Sequence, residues 1–312
     1  MMGLDDTILV TGANGLVGTH VFKLLQSKGF TKVVGIGRAE CDLTDYAGVR
    51  AFFTAVRPLY VFHAAAYVAG IMGNMRNQAL SFLRNTLINT HVVAASQTVG
   101  VRKICAMGTV AMYPDAPTDA RLREDMVWRG PPHSSERGYA HAKRGMLAQL
   151  DVYRESYGLE YACALSTNLY GPGDRFDIEN GHVIPSLVRK FFEANKNNEP
   201  ITVWGDGSAR RDFVHVEDAA RALLSIMDKV DGPVNLATGK THAIREVVKV
   251  LAHHVGMDDR IIWDTMKPSG QVFREYDVSI LSDTGFRCQI DLPEGLCTTY
   301  DWYATNVSTA RR

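Results

Sequence analysis

Through the first half of the chain, short apolar runs alternate with longer stretches in which apolar residues recur every three or four positions. Short runs flanked by turn residues read as strands buried on both faces, and the longer period reads as helices covering them. The expected strands are Thr7–Val10, Lys32–Ile36, Tyr60–His63, Lys103–Met107 and Tyr161–Ser166. The expected helices are Leu16–Ser27, Tyr46–Val56, Gln78–Val99 and Tyr139–Tyr157. Gly29, Gly100 and Gly158 stand where three of these helices must turn through a left-handed conformation. A repeated strand-helix order predicts an α/β fold, a Rossmann-type doubly wound parallel sheet with a smaller α/β lobe. After Asn168 the period loosens into loops at Gly171–Gly181, Asn195–Pro200 and Gly205–Arg211. A helix at Val214–Val230 and a strand at Pro233–Ala237 are expected to return to the sheet. The expected division is residues 1–168 with a return segment around 214–240, and residues 169–312 as the smaller lobe.

Lysine plus arginine and aspartate plus glutamate each total 34, so no overall field draws the chain to nucleic acid or an anionic membrane. Cys41, Cys105, Cys163, Cys288 and Cys297 form no CxxC pair, and reduced thiols are expected. The opening MMGLDDTILVTG lacks a basic n-region and a long apolar h-region, and no stretch is apolar enough to span a membrane. A soluble cytoplasmic protein is the expectation.

Chemistry enters at the exit of the first strand, where Gly12, Gly15 and Gly18 lead into a helix. The first glycine permits a tight turn and the second lets backbone amides approach a pyrophosphate. The third allows close packing of helix on sheet, with the helix amino end facing the negative charge. The second strand ends at Arg38, whose planar fork suits a 2′-phosphate and favours NADPH over NADH. A solvated surface arginine is the competing reading. Asp42 and Leu43, in Asp42-Leu-Thr-Asp45, are placed beside the adenine. Small residues at Ala64, Ala65 and Ala66 leave room for backbone to pass close to the dinucleotide. Residues 1–168 are thus expected to be an NADP-binding domain and 169–312 a substrate-binding lobe.

Tyr139 and Lys143 are four residues apart, on one face of a helix. An ammonium beside a phenol favours the phenolate and makes the phenol a better proton donor to a carbonyl that receives hydride. YxxxK occurs by chance on many helices, but this one follows the fourth strand, near Met107 and Thr109. The Thr109 hydroxyl can bond the same carbonyl.

With these residues the chain resembles an extended short-chain dehydrogenase, and within that superfamily the GDP-fucose synthase family. The resemblance also rests on Gly130-Pro-Pro-His-Ser134, Thr167-Asn-Leu-Tyr-Gly-Pro172, Gly181-His-Val-Ile-Pro185 and Val203-Trp-Gly-Asp-Gly207, with Arg211-Asp-Phe-Val-His-Val-Glu-Asp218. It implies NADPH as hydride donor, a GDP-linked 4-keto-6-deoxy sugar as substrate and a homodimer. By motif position it makes Thr109, Tyr139, Lys143 and His182 catalytic. Gly12, Asn14, Gly15, Leu16, Val17, Gly18, Met107, Tyr139, Lys143 and His182 would touch cofactor, and Asn168, Lys190, Trp204, Arg211 and Arg274 would touch the GDP-sugar. Core tryptophan and solvated arginine are the competing readings of the last three, with the local match at Arg274 poor.

One departure bears on the reaction. Two residues beyond the catalytic hydroxyl the family has a cysteine that, with the histidine corresponding to His182, moves protons during epimerisation, and here the position is Ala111. Alanine can neither abstract nor supply a proton. The expectation is therefore C4 reduction of a hexose or heptose derivative, with bifunctional epimerase/reductase as the alternative and a non-catalytic dinucleotide sensor as a second one. His253 and His254 point about 100° apart on a helix and make a poor metal pair, so no metal is assigned. The apolar stripe of Gln78–Val99 (Leu80, Leu83, Leu87, Ile88, Val92, Val93) and that of Met146, Leu147, Leu150 and Val152 suit either a dimer seam or the core.

Overall fold

The computed structural model describes residues 1–68, 75–115, 121–179, 181–266 and 274–312. Strands β1 (Ile8–Thr11), β2 (Val33–Ile36), β3 (Tyr60–His63), β4 (Lys103–Thr109) and β5 (Glu160–Ser166) form where the short apolar runs lie. Between them run α1 (Leu16–Ser27), α2 (Tyr46–Val56), α3 (Gln78–Thr98) and α4 (Arg137–Tyr157). The second half contributes β6 (Asn168–Tyr170), α5 (Val183–Asn197), β7 (Ile201–Trp204), β8 (Arg210–Arg211), β9 (Phe213–His215), α6 (Val216–Lys229) and β10 (Gly232–Leu236). It ends in β11 (His242–Ala243), α7 (Ile244–Val255), β12 (Ile261–Asp264), α8 (Ser279–Asp283) and α9 (Leu292–Thr305).

Six strands pair in parallel in the order β10-β5-β4-β3-β1-β2, so the return strand expected after α6 does rejoin the sheet, in register with β5. Ile8, Leu9 and Val10 have no exposed surface. Leu9 packs with Val49, Phe53, Val92, Met146 and Leu150 of α2, α3 and α4. Ile8 and Val10 pack on the other face with Val21 and Leu25 of α1 and Leu223 and Ile226 of α6. A strand that alternates between two buried faces must be apolar at every position, which is why β1 reads as a continuous run.

A third core forms away from the sheet, where Phe176, Leu187 and Phe191 meet Val203, Val247, Leu251, Leu296 and Tyr303. β4 runs two residues beyond the expected Met107, because Gly108 and Thr109 continue to pair with Leu165 and Ser166. Thr109 is thereby fixed by the sheet itself. The start of α6 also differs from expectation: Phe213–His215 form a short strand on β6, and the helix begins at Val216. Among the described residues no helix is long and apolar enough to cross a membrane, and no group of three or more metal-ligating side chains occurs.

Leu25 is fully buried against α6, whereas Lys23 on the same helix is exposed. Leu25→Ala is expected to lower the unfolding free energy by about 2–5 kcal/mol, and Lys23→Ala to change it by no more than about 0.5 kcal/mol. Urea denaturation of the two variants checks this.

Candidate active site

The chain leaves β1 toward β2 in one direction and reaches β3 in the other, so the crevice at the carboxyl ends of β1 and β3 is the topological switch point of the sheet. Gly12 turns there with φ +69°, and a Cβ on it would meet Ala65 backbone at 2.8 Å. Gly18 lies so tightly on the Gly12 carbonyl that any side chain would collide with backbone. Gly15 meets nothing but the Gly12 oxygen, at 3.1 Å. Two glycines therefore serve packing and the middle one keeps the turn open.

Gly15 caps α1 without a side-chain hydrogen bond, and the first turn of the helix holds no acidic residue. The amides of Leu16, Val17 and Gly18 keep their positive end for an anion from outside the helix. These features fit the pyrophosphate of a dinucleotide.

At the end of β2, Arg38 is exposed and near enough to Asp42 to help hold that carboxyl below its ordinary range, although Thr44's backbone and hydroxyl bonds to it matter more. Arg84, on α3, faces the same carboxylate and lies 4.8 Å over the Tyr67 ring. Glu40 accepts a bond from the Gly37 amide at 2.7 Å, which puts a carboxylate beside this cationic corner. Leu43 turns its side chain into the core, and its carbonyl accepts from His91 at 2.9 Å. Ala64, Ala65 and Ala66 are half-buried at the mouth of β3.

Beneath the crevice runs a chain of buried polar groups. The Ala65 amide donates to the Thr11 hydroxyl at 3.3 Å, and that hydroxyl bonds His63 Nδ1 at 2.8 Å. His63 Nε2 donates to Asn89 Oδ1 at 3.1 Å, and Asn89 Nδ2 donates to the Ala142 carbonyl at 3.4 Å. The bond to an amide oxygen puts a proton on Nε2, and the neutral ring then accepts from Thr11 at Nδ1. Burial, and then the Lys143 cation, hold the His63 pKa at about 3. The chain joins β1, β3, α3 and α4 one residue away from Lys143.

Lys143 is completely buried, and its Nζ donates to the Met107 carbonyl on β4 at 2.8 Å. Burial brings its pKa down to about 8. The ammonium lies 5.9 Å from the centre of the half-buried Tyr139 ring. The phenol itself is pushed above its ordinary value by burial and by Glu136, contrary to the lowering expected from a neighbouring ammonium. With the ammonium turned to the Met107 carbonyl, desolvation dominates at the phenol.

Tyr139 takes its place because Gly138 packs on the Gln78 backbone at the start of α3, with the Gly138 amide donating to Gln78 Oε1 at 2.9 Å. Thr109 Oγ1 accepts from the Ala111 amide at 3.2 Å and so caps the short turn at Val110–Met112. Arg144 donates to the Met112 and Gly130 carbonyls, which locks that turn against α4.

The expected substrate residues fall into two groups. Lys190 lies 5.0 Å from the Trp204 ring and donates to the Thr202 carbonyl at 3.3 Å. Both line a cavity of about 320 Å³ that also includes Glu193, Asn197 and Glu199, and Trp204 is 48% exposed there. Trp204 is therefore not a core residue. Arg274 donates to the Pro114 carbonyl at 3.1 Å and lies near enough to Arg211 for each charge to oppose the other. Both guanidinium charges also act on the buried Tyr276, and Arg274 lies beside the turn that follows Thr109; paired planar cations are chemically suited to phosphate oxygens. Asn168 bonds the Asp212 carbonyl at 3.0 Å on β6. His182 is exposed at the amino end of α5, with the buried Asp174 carboxylate facing it. Gln78, Asn89, Glu40, Arg84, Asp174 and Tyr276 were not singled out from sequence. Asn89 carried a signal, as a polar residue on the face of α3 that also bears Val92 and Val93, whereas Gln78 is the first residue of that helix.

The model of the NAD dependent epimerase/dehydratase family matches residues 8–237. "Probable GDP-L-fucose synthase 1" of Oryza sativa subsp. japonica is 39% identical over 98% of this chain and 94% of its own length. A GDP-L-fucose synthetase from Naegleria fowleri bound to NADP superposes with TM-score 0.92 at 29% identity, over 100% of this chain and 96% of that one. The GDP-mannoheptose C4 reductase from Campylobacter jejuni with NADP bound gives 0.87 at 26% identity, over 97% and 99%. With its glycine turn at the switch point and its tyrosine-lysine helix beside β4, this chain belongs to the NAD dependent epimerase/dehydratase family.

Proposed function

We propose that the chain is an NADPH-dependent reductase that acts at C4 of a GDP-linked 4-keto-6-deoxy sugar, a hexose or a heptose. The observation that carries this reading is the buried Lys143 ammonium held on the Met107 carbonyl, 5.9 Å from the centre of the Tyr139 ring, in a fold that also keeps its glycine turn open at Gly15. Similarity to proteins named as GDP-L-fucose synthases and as a GDP-mannoheptose C4 reductase supports the substrate class.

Gly12, Asn14, Gly15, Leu16, Val17 and Gly18 would hold the pyrophosphate and Arg38, with Arg84, the 2′-phosphate, while Asp42, Leu43 and Ala64–Ala66 border the adenosine. NADPH, when bound, supplies the hydride. Tyr139 gives its phenolic proton to the sugar O4, and Thr109 donates a second hydrogen bond to the same oxygen. The phenolate that remains draws the Lys143 ammonium, whose pKa of about 8 leaves it charged at neutral pH. Arg211 and Arg274 hold diphosphate oxygens, Trp204 and Lys190 lie along the nucleobase, and Asn168 and His182 orient the sugar. The domain reading follows: residues 1–168 and a return segment around 214–240 bind cofactor, and 169–312 shape the substrate site. A homodimer fits the exposed Leu80, Leu83 and Val152 on α3 and α4.

Reduction alone is favoured over epimerisation with reduction because no accessible thiol stands beside Thr109 among the described residues. Ala111 stands at the family's cysteine position. Cys163, which lies against Gly108, is fully buried, and burial pushes its thiol up to about 12. Turnover of the 4-keto sugar in D₂O is expected to leave C3 and C5 of the product unlabelled by mass spectrometry and NMR. Deuterium at either carbon would establish the bifunctional alternative. Tyr139→Phe is expected to lower kcat by about 10²–10⁴-fold while NADPH still binds, as read by NADPH absorbance and fluorescence. Unchanged turnover would remove Tyr139 from the acid role.

A further inference from the structure

Arg311 lies nearly three hundred residues along the chain from the glycine turn, yet its guanidinium touches it. Nη1 donates to the Asn14 carbonyl at 3.2 Å, Nε donates to the Gly173 carbonyl at 3.2 Å, and Nη2 donates to Gly173 as well. The backbone of the same residue pairs with the loop before α5: the Phe176 amide donates to the Arg311 carbonyl at 2.8 Å, and Arg175 and Arg311 form a parallel bridge. This one side chain therefore spans the turn expected to receive the pyrophosphate and the loop that leads to His182. A lysine carries the same charge but cannot bond two carbonyls from different segments in one plane.

Two further observations place a charge requirement here. Asp174, at 4% exposure, accepts the Arg175 amide with one carboxylate oxygen, and its other oxygen, Oδ2, is buried without a hydrogen-bond partner among the described residues. Burial pushes this carboxyl above its ordinary range, and the nearby His182 and Arg311 work against that shift. The Arg311 bond to the Asn14 carbonyl puts the guanidinium beside the start of α1, whose Gly15 cap makes no side-chain bond and whose first turn holds no acidic residue.

We propose that Arg311 is a positioning residue for the dinucleotide: it clasps the glycine turn to the 171–176 loop and adds a cation beside the seat of the pyrophosphate. The proposal rests on the cofactor reading above. Titration of the full chain with NADPH, followed by fluorescence, tests it in the parent, Arg311→Ala and Arg311→Lys, with thermal unfolding measured on each in the absence of cofactor. Loss of charge-assisted bonds that hold the turn is expected to weaken NADPH binding about tenfold in Arg311→Ala, with Arg311→Lys between it and the parent. KM for NADPH should rise in parallel while kcat at saturation is kept. A drop in unfolding temperature with NADPH affinity within about twofold of the parent would mean that Arg311 only staples the fold, and would overturn the proposal. A parent that binds no NADPH would overturn the cofactor reading and the clasp together. A parent that binds it with Arg311→Ala binding equally well would overturn the clasp alone.

Discussion

A lysine ammonium with no exposed surface, bonded to one backbone carbonyl, is the constraint around which this site is built. Taking a charge out of water is costly unless the protein returns its hydrogen bonds, and here Met107 returns one. The remaining cost appears as a pKa of about 8 in place of the ordinary value near 10.5. Such a group is retained where its charge has a use. A phenolate formed on Tyr139 would supply the partner that the resting arrangement lacks, and it would do so as proton transfer completes. The ammonium is thus more complementary to the reacting state than to the resting one, which is the direction catalysis requires.

The fold delivers that arrangement through the sheet. β4 continues to Thr109, so the carbonyl that holds Lys143 and the hydroxyl expected to hold substrate are two residues apart on one paired strand. α4 is registered on β4 by Lys143 and on the following turn by Arg144, and its start is set by the contact of Gly138 with Gln78. The line from Thr11 through His63 and Asn89 to the Ala142 carbonyl ties the same helix to the strand that opens into the glycine turn. Glycine turn and tyrosine-lysine helix are separated by several elements in sequence but are tied by one buried polar chain that ends at the Ala142 carbonyl, one residue from Lys143. The members of that chain are neutral, which limits the cost of burying it.

The strands and helices of the first half were legible because each strand is buried on both faces and each helix on one, so apolar content and period follow burial directly. The glycine turn was legible for a related reason: Gly12 and Gly18 are positions where backbone meets backbone and no side chain fits. Trp204 and Arg274 were harder, since nothing in a local pattern tells an exposed tryptophan from a core one, or an arginine held on the Pro114 carbonyl from a solvated one. The raised phenol of Tyr139 was misjudged. Sequence spacing put the ammonium near the ring but could not show that it donates its hydrogen bond to the Met107 carbonyl or that the pocket desolvates the hydroxyl. Glu40, Asp174 and Arg311 were silent because their roles come from loops and long-range contacts that carry no period.

In the proposed reaction Lys143 is charged while Tyr139 gives up its proton. The most direct measurement is the pH dependence of a single turnover, followed by NADPH absorbance with enzyme in excess over the 4-keto sugar. Because the lysine pKa is depressed to about 8, the ammonium is present below that pH and lost above it, so the rate should be level from pH 6 to 7 and fall through an apparent pKa of about 8. The falling limb should be absent from the residual rate of Lys143→Met. A parent rate that stays level through pH 9.5 would contradict the central role assigned to the buried ammonium.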